Sequence, residues 1–100
     1  EMIISSGENI YPAEVERVIQ ALPEVREAAV VGMPDRKKGE VVAAFVLLRE
    51  GAALTEEALL TAIRGKLAPF KLPKKIVFVA DFPRNTSGKI LKTDLRARVS

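Results

Sequence analysis

The sequence contains no cysteine and no histidine. Disulfides, thiolate chemistry, imidazole catalysis and zinc sites of the usual Cys/His kind are therefore excluded. Tryptophan is absent and tyrosine occurs once, which leaves few platforms for stacked bases. Long apolar runs are missing too. The longest, Val41 to Leu48, is eight residues, too short to cross a bilayer. The opening Glu1-Met2-Ile3-Ile4 has no basic segment leading into an apolar stretch, so no signal peptide is expected. Any chemistry has to run on lysine, arginine, carboxylates, hydroxyls or the backbone. The lack of cysteine fits a cytoplasmic protein.

What is present is one domain's worth of chain, residues 1–100, with 48% hydrophobic and 29% charged residues. That balance reads as soluble and globular. The net charge of +3 is unevenly spread: residues 1–63 carry −5 and residues 64–100 carry +8. A basic second part suits either a solvated face or an anionic partner such as a nucleotide, CoA, RNA or an acidic protein.

Short strands are expected at Met2–Ile4 and Ile10–Tyr11, around a turn cluster at Ser5–Asn9. Pro12 suits the first position of a helix, with Glu14 and Glu16 as helix-start carboxylates and Val15, Val18, Ile19 and Leu22 on one apolar face. Tyr11 is expected to pack with its hydroxyl in water. Val25–Gly32 reads as a strand and Met33–Gly39 as a charged turn. Val41–Leu48 suits a central strand covered on both faces. Thr55 looks like the cap of a second helix with Leu60, Ile63 and Leu67 inward and Arg64 and Lys66 in its last turn. Phe70–Lys75 reads as a loop, Ile76–Val79 as a third core strand and Phe82–Lys89 as a long turn. A final helix follows, with Leu91, Leu95 and Val99 on one face. The fold class expected is α+β: a small three-stranded sheet with packed helices, plus an N-terminal β-hairpin.

The strongest local feature is Thr86-Ser87-Gly88-Lys89. Gly88 lets the backbone bend, and Lys89 is a mobile point charge suited to phosphate or carboxylate. A phosphate-binding P-loop does not fit, because the positions that need glycine and Ser/Thr hold Pro83 and Ile90.

Phe82-Pro83-Arg84-Asn85-Thr86-Ser87-Gly88-Lys89-Ile90-Leu91-Lys92 resembles the C-terminal lysine motif of the adenylate-forming superfamily, which holds acyl-CoA synthetases, peptide-synthetase adenylation domains and luciferases. Met2 to Glu16 resembles the hinge-proximal motif of the same superfamily. Val30-Val31-Gly32-Met33-Pro34-Asp35 and Phe70-Lys71-Leu72-Pro73 are similar to family segments between them. The likeness covers essentially the whole chain and is nearest to acid–CoA ligases.

The resemblance implies a two-step ligase. A carboxylate attacks the α-phosphate of Mg-ATP, giving an acyl-adenylate and pyrophosphate; CoA then displaces AMP. It implies that Lys89 serves adenylation, supported by Arg84, Ser87 and Gly88. It also implies CoA contacts at Ser6, Gly7, Lys38, Phe70 and Lys74, with Phe70 on adenine and Lys74 on phosphate. Glycine is common in relatives at the position of Ser6, an aromatic residue at that of Lys38 and a basic one at that of Leu72. By the same resemblance, ATP with Mg²⁺ and CoA are expected as substrates of the full-length enzyme, with none of them held by this domain alone and no metal site here. The expected partner is the enzyme's own large N-terminal domain, and the chain is expected to be a fragment, inactive by itself. An acetyltransferase and deacetylase acting on Lys89 would switch its charge. Neither a membrane span nor nucleic-acid binding is expected. Two other functions stay open: loading of a carrier protein, and a small basic module for RNA or protein.

Overall fold

The computed structural model describes all 100 residues. Its elements in chain order are β1 (Ile3–Ser5), β2 (Glu8–Ile10), α1 (Pro12–Gln20), β3 (Val25–Asp35), β4 (Gly39–Leu48), α2 (Glu56–Ile63), a 3₁₀ turn (Pro69–Lys71), β5 (Lys75–Val79) and α3 (Lys92–Val99). The class is α+β, as expected. β3, β4 and β5 are the three core strands, and the N-terminal hairpin joins them edge-on, so that one sheet of five strands results.

β4 is the centre of that sheet. Along one edge it pairs antiparallel with β3, from Gly39↔Asp35 to Val25↔Leu48. Its other edge is shared: β1 pairs at Gly39, and β5 runs parallel from Ala43 to Leu47. The continuous apolar run of β4 is explained by cover on both faces. Val42, Ala44 and Val46 belong to a 14-residue cluster with Val15 and Ile19 of α1 and Leu59 and Ile63 of α2. Ala43 and Phe45 face a second cluster with Leu95 of α3 and with Phe82 from the segment after β5. Alternate residues of one strand thus feed two cores.

Several boundaries differ from expectation. β3 continues through Met33 and Pro34 to Asp35, so the turn is only Arg36–Lys38. Proline is tolerated there because β3 is an edge strand. The N–H groups of Ala28 and Val30 point away from β4, and Pro34, at the same parity, forfeits no ladder bond. α2 has the expected cap, Thr55 Oγ1 accepting from Ala58 N–H at 3.0 Å. It stops at Ile63, however, because Arg64 is extended. Arg64 and Lys66 therefore lie outside it, and Leu59 rather than Leu60 is fully buried. Leu91 is the residue before α3, and only Leu95 of that helix is fully buried.

The hairpin is built into the core by Ile3 and Ile10, both buried. Ser6 N–H donates to Lys38 O at 2.8 Å, and Ile4 N–H donates to Glu40 Oε1 at 3.0 Å. That second bond accounts for Gly32. A Cβ there would sit 2.5 Å from Glu40 Oε2, so a side chain would push the carboxylate off β1.

Candidate functional site

The lysine loop is short, closed and moored at both ends. Arg84 and Ile90 form an antiparallel bridge, and Leu91 N–H donates to Pro83 O at 2.8 Å. Inside this neck, Asn85 Oδ1 accepts from Ser87 N–H and Lys89 N–H, both at 2.9 Å. Gly88 completes the turn with a φ of 85°. At the upstream end, Arg84 pairs with Glu27 of β3 and donates from Nη1 to Gly88 O at 3.1 Å. The hydrogen bond to Glu27 raises the Arg84 pKa above its ordinary value; desolvation opposes it, and the charges of Glu27 and Asp81 add lesser upward effects. At the downstream end, Lys92 Nζ lies 2.7 Å from Glu16 Oε2 of α1 and 3.6 Å from Glu1.

Between these two paired cations Lys89 is exposed and makes no ion pair. It borders a shallow groove of about 980 Å³ whose apolar wall includes Met2, Tyr11 and Leu91. Tyr11 is 56% exposed, so the packing expected of it is not found; it lies open beside the lysine loop. Ser87 contributes its backbone N–H to the Asn85 bond and leaves its side chain exposed.

The five candidate CoA residues lie elsewhere. None of Ser6, Gly7, Lys38, Phe70 or Lys74 lines the groove around Lys89. Three of them meet one another. Ser6 and Gly7 are the two-residue loop of the β1–β2 hairpin, with φ of 51° and 80°, as a type I′ turn requires. Ser6 N–H holds Lys38 O, and Asp35 Oδ2 accepts from Lys38 N–H at 2.9 Å, so two turns are fastened together. Lys74 N–H donates to Val42 O at 2.8 Å on the same edge of β4, four residues from Lys38 and hence about 13 Å along the strand. Phe70 is half-buried against the main core, with the Lys71 ammonium 5.6 Å from its ring centre. Leu72 also packs on that core. No three His, Cys, Asp or Glu side chains come together in one cluster.

Sequence reasoning missed Asn85, Glu27 and the work of Glu16. Glu16 is more than a helix-start carboxylate: its Oε2 also accepts from Val30 N–H at 2.9 Å. Glu14 pairs with Lys71 at 2.9 Å. No sequence signal marks which carboxylate meets which lysine across the chain.

The family model of the AMP-binding enzyme C-terminal domain matches residues 14–89. This chain belongs to that family. Long-chain-fatty-acid–CoA ligase FadD13 of Mycobacterium tuberculosis is 49% identical over 100 residues, all of this chain and 20% of that protein. The 2-succinylbenzoate–CoA ligase of Bacillus cereus is 50% identical over 99 residues, covering 99% of this chain and 20% of that protein. Among solved structures, apo MatB from Rhodopseudomonas palustris superposes with a TM-score of 0.93 at 46% identity, over 97% of this chain and 19% of that one. The domain of this family thus spans about a fifth of the length of the curated relatives it matches. No helix is long and apolar enough to cross a membrane.

Proposed function

We propose that this AMP-binding C-terminal domain acts as the lid of an AMP-forming acid–CoA ligase, with Lys89 serving adenylation and the hairpin-turn face serving thioester formation. The observation that carries the reading is the state of Lys89: a free ammonium on a loop whose other two cations are tied to carboxylates. Adenylation brings a carboxylate against a phosphate, and their repulsion grows as they approach. One ammonium delivered between them offsets it and stabilises charge on the transferring centre. The relatives named as CoA ligases, alike over the whole of this chain, support the same class.

ATP, with its magnesium, and the acid are held by the larger part of the protein, which is the partner of this domain. The separation of Lys89 from Ser6, Gly7 and Lys38 supports a lid that presents one face for each half-reaction. CoA would run past the Ser6–Gly7 turn, with Lys38 and Lys74 available to its phosphates and the open part of Phe70 to its adenine. Arg84, Ser87 and Gly88 hold the lysine turn. Acetylation of Lys89 would remove the charge and stop the first step. A cytoplasmic place of action goes with this chemistry.

The test is to give the full-length protein Mg-ATP, CoA and a panel of carboxylic acids. Acid-dependent AMP, pyrophosphate and an acyl-CoA thioester are expected. Thioester formed on a carrier protein but not on CoA, or salt-sensitive RNA binding with no adenylation, would contradict it.

A further inference from the structure

Asn85 opens the turn that carries Lys89, and it makes four hydrogen bonds to the residues just beyond it. Its Oδ1 takes the N–H groups of Ser87 and Lys89, each at 2.9 Å. Its own N–H donates to Lys89 O and its carbonyl accepts from Gly88 N–H, again each at 2.9 Å. Both backbone groups of Lys89 are therefore fixed by one residue. That matters because a small rotation of the lysine backbone is amplified along a flexible four-carbon stem. It also matters that the residue is neutral. Aspartate could hold the same turn, but it would set a carboxylate beside an ammonium whose task is to meet anions. Asn85 takes no part in either ion pair that moors the loop.

We propose that Asn85 is a positioning residue for adenylation: one uncharged oxygen fixes the Ser87 and Lys89 N–H groups, and so aims the Lys89 ammonium without engaging it. The proposal rests on the role given to Lys89 above. Asn85 is outside the left-handed region, so alanine or threonine fits its backbone and the change falls on the acceptor.

The experiment compares Asn85→Ala, Asn85→Thr and Lys89→Ala in the full-length enzyme. Asn85→Ala should lower kcat for acid-dependent adenylation by about tenfold to a hundredfold, the scale of a misplaced reacting group. KM for ATP and acid, and thioester formation from supplied acyl-adenylate, should stay within about twofold, because those ligands are held elsewhere. Asn85→Thr, whose hydroxyl makes the same turn bonds more weakly, should recover to within about fivefold of the natural enzyme. Full adenylation by Asn85→Ala beside an inactive Lys89→Ala would overturn the proposal alone. So would equal loss of both half-reactions, or no recovery with threonine. Full adenylation by Lys89→Ala would overturn the role of Lys89 and this proposal with it.

Discussion

At the scale of the residue, the hairpin turn shows most plainly what one side chain costs. Ser6 holds a left-handed φ of 51°, which disfavours an L-residue with a Cβ by about 1–2 kcal/mol. Asparagine tolerates that region and is the usual first residue of such a turn. Ser6→Asn should therefore stabilise the domain by about 0.5 kcal/mol, read from urea unfolding. Gly7→Ala should destabilise it by about 1 kcal/mol, roughly 4–8 °C in Tm. Nothing lies within 4 Å of a Cβ at Gly7, so the penalty is conformational and a much larger loss would contradict this account. Gly7 and Lys89 were legible in the sequence because glycine turns and the lysine motif stand out locally. Asn85 was not. It sits in a run of turn-forming residues, Asn85-Thr86-Ser87-Gly88, and which of them closes the turn depends on the bridge between Arg84 and Ile90.

Among the elements, the least legible feature is the seal on β3. An edge strand offers unpaired N–H groups, and here α1 satisfies two of them. Glu16 Oε2 takes Val30 N–H, and Gln20 Oε1 takes Ala28 N–H at 3.0 Å. In the sequence both residues look like the wet face of an amphipathic helix. The helix itself was plain from Val15, Val18, Ile19 and Leu22, and β4 from its unbroken apolar run. Their mutual placement was not, because it is set by hydrogen bonds between elements distant in sequence. Glu16→Ala leaves Val30 N–H without its acceptor and the Lys92 ammonium with only the longer contact to Glu1. It should cost about 1–3 kcal/mol and speed hydrogen exchange at the Val30 amide. Glu16→Gln keeps an acceptor for Val30 and should cost less. Equal effects of the two substitutions would mean that the edge bond contributes nothing.

Across the whole molecule, the charge imbalance acquires a meaning that composition hides. Every ion pair joins a cation from residues 64–100 to a carboxylate from residues 1–63. Part of the opposite charge of the two parts is therefore spent within the chain, and Lys89 is among the cations left unpaired. The domain is a plate 18 Å thick, with Lys89 on a loop tied to β3 and α1, and the Ser6–Gly7 turn tied to the start of β4. A plate with two such places can serve two steps by turning, with no change inside it. The measurement that tests this most directly is a single-turnover comparison of the two half-reactions in full-length Lys89→Ala. Adenylation should fall by a hundredfold or more, on the order expected for loss of one preorganised donor, while thioester formation from supplied acyl-adenylate continues near its natural rate. Equal loss in both steps, or none in the first, would contradict it.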